Sequence, residues 1–362
     1  MRVLVVNAGS SSLKLAVLDG DEAVADVNLP AERGRIDPDA LRSWIEAAGE
    51  IDAVGHRIVH GGSEFLEPVL VDDQVVVRLQ ALTDLAPLHQ PKSLRGLEEV
   101  TRALPNVPAV ACFDTAFHAR MPAAASTYAL PREWRGRWDL RRFGFHGLSH
   151  DYASQRAAEL AGRPNDSFRI VTCHLGAGAS LAAVRDGVSV DTTMGFTPLE
   201  GLVMATRSGS VDPGLLLWLE EHMGMPPSEL ASTLENRSGL LGLAGTADLG
   251  AILEAEAVGD ENAGLAVEVY LHRLRGSVAA MAAALEGLDA LVFTGGVGEH
   301  APAIRERCCD HLGFLGVELD REVNATAAPD ADVTTGGSAV RVYVVRARED
   351  LVIARAVARV LA

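Results

Sequence analysis

Two arginines stand where a guanidinium could hold an anion. Arg57 ends an apolar run between His56 and His60 and precedes Gly61-Gly62, and Arg207 lies in Thr206-Arg207-Ser208-Gly209. A guanidinium offers a planar fork of donors that pairs with carboxylate or phosphate oxygens. On residue types alone, a plain ion pair is an equal reading for each. Asp114 closes the apolar run Val107–Phe113, where a carboxylate needs a cation or a metal-bound water. His146 sits in Arg141-Arg142-Phe143-Gly144-Phe145-His146-Gly147, where a structural histidine is the commoner outcome. Glu349 and Asp350 follow the last apolar run, Val340–Val345, where they could hold Mg²⁺ or face solvent.

Three glycine turns follow apolar runs. The first lies in Val3–Gly20, VLVVNAGSSSLKLAVLDG, where Gly9, the hydroxyls of Ser10, Ser11 and Ser12, and Lys14 could cradle an anion. It is not a Walker-type loop, because GxxxxGK[ST] is absent and a strand follows. The second lies in Ile170–Gly187, with Gly176 and Gly178. The third, Gly295-Gly296-Val297-Gly298, follows a strand and precedes a helix, without G-x-G-x-x-G spacing. Together they favour a nucleotide phosphate chain. Phosphoryl transfer needs positioning and charge neutralisation, and a carboxylate acceptor, already ionised, needs no general base.

These residues require strands that end in tight turns. Val3–Gly20 and Ile170–Gly187 superpose without a gap at an offset of 167, matching at the turn glycine and at the Asp-Gly strand exit. That predicts a duplicated fold with a ligand between its halves. Further strands are expected at Glu22–Val27, Ile51–Val59, Val107–Phe113, Ala290–Phe293 and Val340–Val345. Helices are expected at Pro38–Ala48 with Asp37 as cap, Leu79–Leu85, Ser93–Ala103, Ser149–Leu160, Leu265–Leu285 and Asp350–Leu361. The domain change is placed just before Met121. The 362 residues suit two domains, and a net charge of −17 argues against nucleic acid and anionic membranes. No leader and no long apolar run are visible, so a cytoplasmic protein is expected. The four cysteines lack metal-type spacing and read as buried thiols.

At these residues the chain resembles the acetate kinases, of the acetate and sugar kinase/Hsp70/actin superfamily. The shared motifs are NAGSSSLK (7–14), GHRIVHGG (55–62), LAPLHQP (85–91), FDTAFH (113–118), RRFGFHGLSH (141–150), HLGAGAS (174–180), DTTMGFTPLEGLVMATRSGSVDPG (191–214) and FTGGVGE (293–299). The resemblance implies an α/β fold of two actin-like ATPase (ribonuclease H-like) βββαβαβα domains with the active site in the cleft between them. One would comprise 1–118 plus 351–362, the other 119–350. It implies a homodimer and reversible, Mg²⁺- or Mn²⁺-dependent transfer between ATP and acetate. Asn7 and Glu349 would organise the metal, with Lys14, Ser10 and Ser12 on the nucleotide phosphates. Arg57 would hold the carboxylate, His146 and Arg207 the phosphoryl group in flight, and Asp114 occupies the position the family treats as catalytic. His174, Leu175, Gly176, Ala177 and Gly178, with Asp248, Leu249 and Gly250 and with Gly296, Val297, Gly298, Glu299 and His300, would line the nucleotide site. Val59, Leu88, Phe145 and Pro198 would form the methyl pocket.

Three departures from the family pattern stand out: Gly250 where an arginine is usual, Ala347-Arg348-Glu349-Asp350 for Thr-Asn-Glu-Glu, and HLGAG for HLGNG. They bear on base preference and nucleotide affinity. Propionate kinase is the near rival, and a kinase using another phosphoryl donor a further one. An ATP-driven chaperone or nucleotide sensor would leave Arg57 and Arg207 without purpose.

Overall fold

The computed structural model describes residues 1–9, 12–32, 35–85, 90–163 and 167–362. They form two compact units, the first of Met1–Ala119, Phe145–Leu148 and Arg348–Ala362, the second of Arg120–Gly144 and Ser149–Ala347.

In the first unit the strands are β1 (Arg2–Ala8), β2 (Ser12–Asp19), β3 (Glu22–Glu32), β4 (Arg35–Ile36), β5 (Ala53–Ile58), β6 (Val69–Leu70) and β7 (Ala109–Phe113). They lie in the order β4-β3-β2-β1-β5-β7-β6, with β1, β5 and β7 parallel. Val3, Leu4, Val5 and Val6 are all at most 3% exposed, because β1 is covered on both faces. That is why it reads as an unbroken apolar run rather than an alternating one. Leu4 and Val6 pack with Leu41, Ile45 and Val100 of the helices Pro38–Ala48 and Gln90–Ala103. The C-terminal helix Glu349–Leu361 covers the other face at Gly55. Asp37 caps Pro38–Ala48 through the amides of Asp39 and Ala40, as its sequence predicts.

The second unit holds β8 (Arg169–Leu175), β9 (Ala179–Arg185), β10 (Val188–Thr192), β11 (Ala290–Thr294), β12 (Ala331–Asp332) and β13 (Arg341–Val344), in the order β10-β9-β8-β11-β13-β12. Here β8, β11 and β13 are parallel. Each unit therefore repeats three antiparallel strands followed by two parallel additions beside the first, the duplicated core of actin-like ATPases.

The repeat is not gapless. Ala8 pairs with Leu13 across four residues, whereas Leu175 pairs with Ala179 across three. The far turns shift in step, to Gly20-Asp21 in the first unit and Asp186-Gly187 in the second. The sequence match at Asp19-Gly20 and Asp186-Gly187 therefore aligns residues one step apart in the ladder. A second difference concerns the helix expected at Leu79–Leu85. It runs Asp73–Ala81, capped by Asp72 on the Val75 amide, and passes into a 3₁₀ turn at Leu82–Leu85. The next helix starts at Gln90, three residues before expectation.

A Cβ on Gly55 would lie 2.4 Å from Ile353 Cγ2 and 2.9 Å from Val357 Cγ2. Gly55→Ala is expected to destabilise by about 1–3 kcal/mol through overpacking. Denaturant titration checks this, and an unchanged midpoint would show that the helix yields freely.

Candidate active site

Parallel strands in neighbouring positions end together, and ligands of open α/β sheets gather beyond such carboxyl ends. In the first unit those ends carry Asn7 on β1, Arg57 on β5 and Asp114 just after β7. Arg57 Nε donates to Asp114 Oδ1 at 2.9 Å and Nη2 to Oδ2 at 2.5 Å, a two-pronged ion pair. Its Nη1 donates to Asn7 Oδ1 at 3.0 Å. Glu349, first residue of the C-terminal helix, places Oε2 3.7 Å from Arg57 Nε and 3.5 Å from Asn7 Nδ2. Asp114 is 2% exposed and Arg57 17%. Burial works against the Arg57 charge, but the charges of Asp114 and Glu349 outweigh it and raise its pKa. The fork expected to hold a substrate carboxylate is thus occupied by the protein's own.

Two hard oxygen donors, Asn7 Oδ1 and Glu349 Oε2, lie in this cluster, and no group of three or more His, Cys, Asp or Glu able to hold a metal occurs among the described residues. This donor set fits Mg²⁺ bound through one carboxylate and substrate phosphates, rather than a cage made wholly of protein. Arg348, at the unusual motif, turns to Asp350 at 3.0 Å and leaves Glu349 to Arg57 and Asn7.

His146 takes a left-handed backbone conformation at φ 55, uncommon for a residue with a side chain. The turn is strapped down on both sides: the Gly147 amide donates to the Asp114 carbonyl at 2.9 Å, and the Phe145 ring meets His60 edge-on at 5.4 Å. A Cβ on Gly147 would sit 2.1 Å from that carbonyl, so only glycine fits. Phe145 is buried and Val59 half-buried just beyond β5. Lys14 is exposed on β2, opposite Asn7, and Ser12 returns its carbonyl to the Gly9 amide at 2.8 Å. Ser10 and Leu88 lie outside the described residues.

In the second unit a cleft of about 480 Å³ opens beside the ends of β8 and β11. Gly176, Ala177, Asp248, Leu249, Gly250, Gly296, Val297 and His300 line it. The glycines expected ahead of a helix are inside it, since Gly295–His300 is itself helical. Gly295 alone carries the turn, at φ 78. Asp248 caps the helix Leu249–Ala257 through the Gly250 amide at 2.9 Å, and Gly250 puts no side chain over the cleft.

Five expected nucleotide residues do not line it. Leu175 is 0% exposed, its side chain in the core. His174 sets Nδ1 2.7 Å from Ser149 Oγ. Gly178 accepts the Gly176 amide, and Glu299 Oε1 accepts the Ala347 amide. Gly298 is buried, and its carbonyl accepts from Arg305. Residue types hid the rest of the wall, Ala205, Leu240, Leu253, Tyr270 and Pro302, because apolar residues lining a slot look like core.

Arg207 lies in the same unit. Its Nε donates to Glu235 Oε1 at 3.0 Å, and its Nη1 reaches the carbonyl of the buried Pro198 at 3.4 Å. The four cysteines are buried and unpaired, and burial pushes Cys112 and Cys308 up to about 12, so their thiols stay protonated.

Two histidines of the first unit are buried as neutral rings. Burial lowers His56 to about 3, and lowers His118 to about 4 although the Phe145 carbonyl opposes it. The unfolded chain binds protons near pH 6.5 that the folded chain refuses. Stability is therefore full above pH 6.5 and falls as pH drops toward 4. Between pH 6.5 and 5 each ring accounts for ~2 kcal/mol, at about 1.4 kcal/mol per proton and pH unit. Unfolding at these two pH values checks it. His118→Asn is expected to flatten the slope, and an unaltered slope would remove His118 from the titration.

Comparison with known proteins places this geometry in a lineage. Residues 36–355 match the model of the acetokinase family. The acetate kinase of Pseudothermotoga lettingae is 43% identical, the alignment covering 98% of this chain and 96% of that one. The crystal structure of Porphyromonas gingivalis acetate kinase superposes with a TM-score of 0.91 at 36% identity, covering both chains fully. That of a propionate kinase from Francisella tularensis gives 0.92 at 34% identity, over 99% of each chain. The chain belongs to the acetokinase family.

Proposed function

We propose that the protein is an acetate kinase, transferring the γ-phosphoryl group of ATP reversibly and in line to acetate to give acetyl phosphate and ADP. The observation that carries the reading is the two-pronged Arg57–Asp114 pair. A sugar kinase needs a carboxylate free to take a proton from a hydroxyl. Here the buried carboxylate beyond the parallel strands is held by an arginine, which suits an acceptor that brings no proton. Arg57 offers its charge to the substrate carboxylate, with Val59, Leu88, Phe145 and Pro198 about the methyl group.

The cleft of the second unit takes the adenosine and the Gly176 and Gly295 turns the phosphates. His146 and Arg207 meet the phosphoryl group in flight. Asn7 and Glu349 would hold Mg²⁺ carried in on the nucleotide, which supplies charge neutralisation. The reading includes a cytoplasmic enzyme, and no described helix is long and apolar enough to cross a membrane. It includes a homodimer as well. The helix Pro213–Met223 buries none of its residues and exposes Leu215, Leu217, Trp218 and Met223 by 47–64%, apolar surface on more than one side that suits a second copy. Propionate is the alternative acceptor, since one methylene in an apolar pocket is worth only ~1–3 kcal/mol.

Acyl phosphate formed from acetate, propionate or butyrate and trapped with hydroxylamine tests the reading, with ATP, GTP and pyrophosphate as donors. Acetate with ATP and Mg²⁺ is expected to give the highest kcat/KM, and activity with none of the acids would overturn it. Arg207→Ala is expected to lower kcat by about 10²–10³ with little change in the KM for acetate, as for loss of a group that binds developing charge. An unchanged kcat would remove Arg207 from the mechanism.

A further inference from the structure

Arg207 has one open donor nitrogen. Glu235 takes Nε, while Nη1 faces the Pro198 carbonyl at 3.4 Å and the Met204 sulfur at 3.7 Å. Nη2 makes no hydrogen bond among the described residues. The guanidinium is planar, so a partner fixed on Nε decides where Nη2 points.

Glu235 is the penultimate residue of the helix Pro227–Asn236 and only 12% exposed, against 19% for Arg207. The backbone around Arg207 does not need this carboxylate. Thr206 Oγ1 donates to the Glu235 carbonyl at 2.9 Å, the Ser208 amide to Leu234 at 3.0 Å and the Ser238 amide to Thr206 at 2.9 Å. Gly239, at φ 60, packs so closely that a Cβ would lie 2.2 Å from the Met204 carbonyl and 2.6 Å from that of Arg207. Main-chain contacts hold the segment without help from the Glu235 carboxylate.

We infer that Glu235 is the positioning residue of Arg207: it pins Nε so that the outward N–H of Nη2 meets the phosphoryl group during transfer. This rests on the reading of Arg207 given above. It accounts for a carboxylate beside a group that must bind an anion, an arrangement that would otherwise weaken binding by like charge. The carboxylate binds on the Nε side of the guanidinium, and the anion comes to the terminal N–H of Nη2 that points away from it.

The test is a cycle of Glu235→Ala, Glu235→Gln, Arg207→Ala and the double alanine variant, with kcat and both KM values measured on full-length enzyme of verified thermal midpoint. Misplacement of a reacting group by about 1 Å can cost about 100-fold. Glu235→Ala is therefore expected to lower kcat by up to that factor with the KM for ATP little changed. Glu235→Gln, which keeps an acceptor for Nε, is expected to recover most of the loss. In the Arg207→Ala background, Glu235→Ala is expected to have no further effect. Effects that multiply, or a Glu235→Ala enzyme with wild-type kcat and a lowered midpoint, would overturn the assignment and leave Glu235 structural. Full kcat in Arg207→Ala would instead overturn the reading of Arg207, and this assignment with it.

Discussion

The Arg57–Asp114 pair is the constraint around which the first unit is built. Charges so buried are tolerated only where they are paired and fully hydrogen-bonded. The pair meets that condition because β5 and β7 are parallel neighbours whose ends lie side by side. Asn7 from β1 accepts a third N–H of the fork, and Glu349 from the C-terminal helix adds a second carboxylate 3.7 Å from Nε. Four residues spread across nearly the whole chain thus meet at one sheet edge. The C-terminal helix completes that cluster as well as the packing, since its first residue is a member of it.

The same architecture serves a different end in the second unit. There the corresponding strand ends, β8 and β11, bear His174 and Thr294 in place of Asn7 and Arg57, and small residues in place of charge. A shorter turn after β8 and a glycine helix after β11 leave an apolar slot with backbone amides at its mouth. Duplication supplied two equivalent sheet edges. Side chains then made one of them ionic and the other a slot that can take a flat, neutral ring.

Much of this was legible in residue order. Parallel strands covered on both faces show as apolar runs, unbroken in β1, β7 and most of β11 and interrupted by a few polar residues in β5 and β8, so these strands were visible, and so was the duplication. The one-residue slip between the two hairpins was not, because it follows from how many residues a turn leaves unpaired. Short edge strands such as β4, β6 and β12, two residues each, carry too little pattern to read. Arg57 and Arg207 declared themselves through glycine-rich surroundings, Asp114 and Glu349 through their places after apolar runs. Glu235 did not, since a glutamate near a helix end resembles any solvated acid until Arg207 is seen beside it. The apolar cleft wall was invisible for the opposite reason, as Leu240 and Leu253 have the same types as core residues.

The departures from family pattern take physical form at both sites. Arg348 adds a cation next to Glu349, which could have competed for that carboxylate. The structure diverts it to Asp350, both groups being 25% exposed, and an ion pair in that setting contributes little to stability. Its consequence is to leave Glu349 in the Arg57 cluster. Gly250 has the reverse effect, removing side-chain reach instead of redirecting it. With Asp248 committed to capping backbone amides, the first turn of Leu249–Ala257 offers the cleft no charged side chain. On the proposed reading, a nucleotide there would be met by the apolar walls, by backbone groups and by Tyr270 and His300. Such a slot would discriminate by shape and stacking, with the buried Tyr270 hydroxyl, which has no hydrogen-bond partner among the described residues, in its wall.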